Sequence, residues 1–263
     1  MKATLGGTEI DYDVRGAGAA LLLLHAFPLD QTMWDREAEV FSSSHRVVRF
    51  DARGFGGTPP DDTPLTMDRI ADDGAALLGL LGIEKAVVVG CSMGGYAALA
   101  FVRRHPERLE GLVLQDTRAG ADTEDARAYR ALLAGKVLEK GAEAAADAFL
   151  PHLVGAATRR DNAALVARLG ERIRATAPRG IAQALRGLGD RPDSRATLEQ
   201  VGVPTLIVVG EEDTLTPPAE AEALAAGIAG SQLQVIPRAG HLSNLENPEA
   251  FNAEVRNFLT EVY

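Results

Sequence analysis

Short apolar runs rich in Val and Leu recur along this chain, each separated from the next by a longer stretch with helical character. Strands of that kind are buried on both faces, which requires helices above and below a mostly parallel sheet. Residues 4–6 and 9–14 flank the Gly6-Gly7 turn signal and read as an opening hairpin. Further strands are expected over 20–25, 46–51, 85–91, 109–116, 204–210 and 232–237, with helices over 33–41, 66–81, 93–105, 218–228 and 248–262. The expected fold is therefore α/β, with an eight-stranded, mostly parallel sheet and helices on both faces.

Between Thr117 and Gln200 the strand pattern vanishes and Ala-, Arg- and Glu-rich segments replace it. A block of that kind between two strands would form a helical cap above the carboxyl edge of the sheet. The expected organisation is one core built from residues 1–116 and 201–263, with 117–200 inserted as the cap.

Composition narrows the partners. Acids outnumber bases by 37 to 27 for a formal charge of −10, a field that repels phosphate backbones and anionic lipid. No nucleic acid or membrane partner is expected. A single cysteine, Cys91, allows neither an internal disulfide nor a multi-cysteine metal site. Glu9, Asp11 and Asp13 precede any apolar run, and the longest such run, 19–24, is much too short to cross a bilayer, so a cytoplasmic location is expected.

The chemistry concentrates in VVVGCSMGGYAALAF, where Ser92 sits between a strand and a helix, flanked two residues away by Gly90 and Gly94. A serine on so sharp a turn takes strained backbone angles and needs neighbours without a bulky Cβ. Its hydroxyl needs a base, and among five histidines His241, on a loop after the last strand, is best placed to supply one. A carboxylate must orient that imidazole. Asp213 fits on the loop after the preceding strand, with Glu211, Glu212 and Asp116 as rivals, and the chain order Ser-Asp-His is that of serine hydrolases built on open α/β sheets. Two backbone N–H groups should face the developing oxyanion: Met93, directly after the serine, and Phe27, since Pro28 has none. Cys91 should point into the core as a small hydrophobe.

The HAFPLD, DARGFGG, GCSMGG, GEEDTLTPP and GHLSNLENPEAFN segments, in that order, resemble the motifs of the α/β-hydrolase superfamily along nearly the whole chain. Within it the chain is similar to the group of 3-oxoadipate enol-lactonases, cofactor-free haloperoxidases and small carboxylesterases. That resemblance implies a Ser92–Asp213–His241 triad, a helical cap, no required cofactor or metal, and a small-molecule ester or lactone substrate. The carboxylesterase reading leads. Lactonase, perhydrolase and carbon–carbon hydrolase chemistry, or a hydrolase-fold ligand receptor with little turnover, are the alternatives. Arg118 is a candidate for binding the carboxylate of an anionic lactone, and Trp34 for lining the pocket or anchoring a helix. The superfamily usually has Gly where this chain has Ala26, whose methyl is expected to narrow the pocket.

Overall fold

The computed structural model describes residues 1–263. The strands are β1 (Lys2–Leu5), β2 (Thr8–Arg15), β3 (Ala20–Leu24), β4 (Arg46–Phe50), β5 (Ala86–Cys91), β6 (Leu109–Gln115), β7 (Thr205–Gly210) and β8 (Gln232–Ile236). They form one sheet in the order β1-β2-β4-β3-β5-β6-β7-β8. β1 and β2 pair antiparallel, as does β2 with β4; every other pair is parallel. β3 and β5 are buried along their full length, as strands covered on both faces must be.

The helices of the core are α1 (Asp35–Phe41), α2 (Met67–Leu80) and α3 (Met93–Arg104). Five more, α4 (Glu124–Lys140), α5 (Glu143–Leu153), α6 (Ala156–Asp161), α7 (Ala163–Ala175) and α8 (Pro178–Gly189), run between β6 and β7. A short sixth helix, α9 (Arg195–Leu198), also precedes β7, and the chain closes with α10 (Pro218–Gly227), α11 (Ser243–Glu246) and α12 (Pro248–Val262). The helix expected over 33–41 is preceded by a 3₁₀ turn, Gln31–Trp34, because Asp30 caps it by accepting the N–H of Thr32. One apolar cluster joins strand residues such as Leu22 and Val88 to Leu133, Val137 and Leu185 of the inserted helices. The insertion therefore shares the core's interior. No helix is long and apolar enough to cross a membrane.

Strand order places the functional crevice. β4 lies on one side of β3 and β5 on the other, so the chain changes direction across the sheet between β3 and β5. The loops leaving the carboxyl ends of two such strands diverge and open a cleft between them, which is where ligands bind in open α/β sheets. Phe27 follows β3 and Ser92 follows β5.

Candidate active site

Ser92 joins β5 to α3 with φ 52° and ψ −109°, a conformation that costs a β-carbon-bearing residue about 1–3 kcal/mol. Its surroundings hold it there. Its N–H donates to the carbonyl of Gln115 at 2.9 Å, and its own carbonyl accepts Thr117 Oγ1 at 2.9 Å. The two flanking glycines make room. A Cβ at Gly90 would lie 2.2 Å from the carbonyl oxygen of Gly94, and one at Gly94 would lie 2.1 Å from that of Leu24. The turn is thus sterically closed to any larger residue at either place.

His241 arrives on the loop after β8, and its Nε2 lies 2.8 Å from Ser92 Oγ. Its Nδ1 lies 2.8 Å from Asp213 Oδ2. The aspartate is itself oriented: Oδ1 accepts the N–H groups of Leu215 at 2.8 Å and Thr216 at 3.0 Å, and Oδ2 accepts Thr216 Oγ1 at 2.7 Å. With Oδ1 occupied by backbone donors, Oδ2 is left to face the imidazole. Three side chains distant in the sequence thereby form a continuous hydrogen-bonded chain, buried at both Asp213 and His241.

The rival acids have other partners. Glu212 accepts the N–H of Ala157 at 2.9 Å, and Glu211 that of Arg238 at 3.1 Å. Asp116 is fully buried, with φ 46°, and accepts from the N–H of Gly210 at 2.8 Å, the N–H of Ser243 at 2.9 Å and Ser243 Oγ at 2.7 Å. Gly210 precedes Asp213 by three residues and Ser243 follows His241 by two, so this carboxylate ties both loops to the end of β6. Burial, with the Asp213 carboxylate nearby, pushes Asp116 up to about 6. Glu246 works on the histidine loop in the same way, accepting the N–H groups of Gly240 at 2.9 Å and Leu242 at 3.2 Å and reaching the N–H of Gly155 at 2.7 Å.

Electrostatics follow from this arrangement. Burial drives the imidazole of His241 down, but the carboxylates of Asp213, Asp116 and Glu246 outweigh it and hold its pKa above the ordinary histidine value. Asp213 moves the other way: burial pushes it up, and the imidazole and the Thr216 donors bring it below the usual carboxylate range. Cys91 lies in the core, its thiol pushed well up by burial.

A cavity of about 140 Å³ opens beside Ser92. Phe27, Met93, Tyr96, Leu215 and His241 line it from the core side, and Phe149, Leu153, Leu188 and Arg130 from the inserted helices; Arg118 completes it. Met93 is the first residue of α3, where an N–H has no carbonyl one turn back to accept it. Phe27 N–H donates to no backbone carbonyl. His25 shapes this loop: its Nε2 accepts the N–H of Ala52 at 3.0 Å, which leaves Nδ1 to donate to the carbonyl of Ala26 at 3.0 Å.

Two expectations need correction. Trp34 does not line this cavity: it is fully buried, with its ring centroid 6.4 Å from that of Phe251, so it anchors helix packing. Ala26 does not narrow the cavity either; it is buried with an ordinary negative φ, and its N–H points to Met33 Sδ at 3.1 Å. Thr216, Glu246, Arg130 and Phe149 were absent from the expected site. Thr216 had a local signal, since an aspartate three residues before a threonine forms a side-chain-to-backbone turn. Arg130 and Phe149 reach the cavity only through packing of the inserted helices, and Glu246 acts on the histidine loop. A larger groove of about 340 Å³, walled by Leu29, Arg36, Leu165 and Leu245, contains none of Ser92, Asp213 and His241.

Known proteins align with this geometry over almost the full chain. A family model described as the alpha/beta hydrolase fold matches residues 19–248. The 3-oxoadipate enol-lactonase 2 of Acinetobacter baylyi is 30% identical over 241 residues, covering 90% of this chain and 86% of that relative. A thermophilic esterase from Thermogutta terrifontis, solved with malate bound, superposes with a TM-score of 0.96 at 39% identity, over 100% of this chain and 98% of that one. The enol-lactonase of Burkholderia xenovorans LB400 superposes with a TM-score of 0.92 at 30% identity, over 99% and 100%. With the sheet order, the strained serine turn and this breadth of match in agreement, the chain belongs to the alpha/beta-hydrolase family.

Proposed function

We propose that this enzyme hydrolyses carboxylic esters or lactones through a covalent acyl-serine. The observation that carries the reading is the unbroken Ser92–His241–Asp213 chain, with 2.8 Å at each imidazole nitrogen. Asp213 holds the proton on Nδ1, so Nε2 is free to accept the Ser92 proton as Oγ bonds to the carbonyl carbon. The resulting oxyanion takes hydrogen bonds from the N–H groups of Met93 and Phe27, each worth roughly 3 kcal/mol in the transition state. His241 then returns the proton to the leaving alcohol, and water repeats the sequence on the acyl-enzyme. Residues 117–200 act as the cap that shields this chemistry and shapes the acyl site.

A fluorophosphonate probe tests the nucleophile directly. The wild-type chain is expected to take up one probe per molecule, on Ser92, and His241→Ala to label far more slowly at the same probe concentration. A folded wild-type protein that neither labels nor turns over short esters would instead favour a ligand receptor on the same fold.

The pH dependence has a definite sign. Only the neutral imidazole accepts the serine proton, so kcat/KM falls as the pH drops through the pKa of His241. Because that pKa is raised, the acid limb should have its midpoint above the ordinary histidine value of about 6.5. Asp116→Asn removes one of the negative charges behind the shift and should move the midpoint to lower pH. A wild-type midpoint below about 6 would contradict this electrostatic account.

A further inference from the structure

The charges around the inner end of the cavity do not balance. Asp122, whose side chain has no exposed surface, accepts from Arg118 Nη2 at 2.9 Å, Arg191 Nη1 at 2.6 Å and Arg130 Nε at 2.5 Å. No second carboxylate lies within ion-pair distance of these guanidinium groups. Three guanidinium groups thus make their direct ion pairs with one carboxylate, and Glu220 acts on Arg118 only from beyond ion-pair distance.

The three arginines are not equivalent. Arg191 is engaged elsewhere: it also donates to the carbonyls of Leu188 at 2.8 Å and Gly120 at 3.0 Å, and its guanidinium lies 4.3 Å from the centroid of the Tyr96 ring. Arg118 and Arg130 are the two that line the cavity beside Ser92. Each makes side-chain bonds only to Asp122, and the buried Nε of Arg118 has no partner. A guanidinium carries five N–H donors. Most of those on Arg118 and Arg130, both of which line the cavity, have no partner within the protein.

Holding surplus positive charge in a partly buried place costs free energy unless an anion compensates it. In a chain of net charge −10, that surplus is also a local reversal of the prevailing field. We propose that Arg118 and Arg130 form an anion subsite, so that the preferred ester or lactone carries a carboxylate a short apolar spacer away from its reacting carbonyl. Planar guanidinium forks match a carboxylate in two-point contacts. Phe149, Leu153 and Leu188 supply the apolar wall that the spacer would lie against. The inference rests on the hydrolase reading and adds the substrate's charge to it.

The test compares the monomethyl esters of succinate, glutarate and adipate with neutral isosteres in which an isopropyl group replaces the carboxylate, followed by proton release. For at least one spacer length the anionic ester should show a kcat/KM at least tenfold above its isostere. Raising the salt should shrink that ratio, and Arg118→Gln or Arg130→Gln should bring it toward one. Arg118→Lys, which keeps the charge and loses the fork, should fall between. A ratio near one at every length, or a preference that survives both glutamine variants, overturns the proposal. Hydrolysis of neutral esters with Ser92 labelling but no charge preference would sink the subsite alone, leaving the hydrolase reading intact. If no ester turns over, titration calorimetry still decides: glutarate should bind the wild type and lose affinity in Arg118→Gln. No heat with glutarate, or tighter binding of inorganic phosphate, would refute the carboxylate assignment.

Discussion

Ser92→Ala is expected to lower kcat on a short-chain ester by about 10⁴ to 10⁶-fold, the loss typical of removing a hydrolase nucleophile. The change is small sterically and large chemically. Alanine fits wherever serine does, and the contacts that hold the turn, Gln115 to the N–H and Thr117 to the carbonyl, use only the backbone of residue 92. The melting temperature should therefore stay close to wild type while turnover collapses to what the oxyanion donors and substrate binding supply alone. Parallel steady-state kinetics and thermal melts check both halves. Retained turnover at a tenth or more of wild type would remove Ser92 from the mechanism.

Asp213→Asn carries the second large effect, and its direction follows from which oxygen is already engaged. Oδ1 accepts two backbone N–H groups, from Leu215 and Thr216, so the amide oxygen must occupy that place. The amide nitrogen is then forced toward His241 Nδ1, where a donor meets the atom that should carry the proton. The imidazole switches tautomer, Nε2 gains the hydrogen, and it can no longer accept from Ser92 Oγ. A loss in kcat of about 10⁴ is expected with little change in KM. Thr216, within 2.7 Å of Asp213 Oδ2 and 3.1 Å of His241 Nδ1, shares the same small space. An ordinary level of activity in Asp213→Asn would mean that another carboxylate holds the histidine. Asp116 is the one to examine, because it already lies against both loops.

The site is legible in the sequence to the extent that it is built from local turns. The Gly90–Ser92–Gly94 elbow depends on a strand, a helix and two absent side chains, all within a few residues. Asp213 and His241 lie on loops that leave adjacent parallel strands, so their chain order already carries their spatial order. Glu211 and Glu212 could not be separated from Asp213 in this way. Their partners, Arg238 and Ala157, come from other parts of the chain.

While the order of strands across the sheet came from the fold, the sequence by itself determined the alternation of strands and helices, the mostly parallel sheet it implies, and the loops that carry Ser92, Asp213 and His241. Those follow from apolar periodicity and from backbone sterics, which act over a few residues at a time. Only the tertiary structure decided which way the long side chains turn: Trp34 inward against Phe251, Glu246 onto the histidine loop, and Arg118 and Arg130 together onto Asp122. Those choices are completed by partners on other segments: Phe251 receives the Trp34 ring, Gly155 ties Glu246 to the inserted helices, and Arg191 joins Arg118 and Arg130 on Asp122, which lies near those two in the sequence. The charge of the cavity is therefore a property of the folded whole.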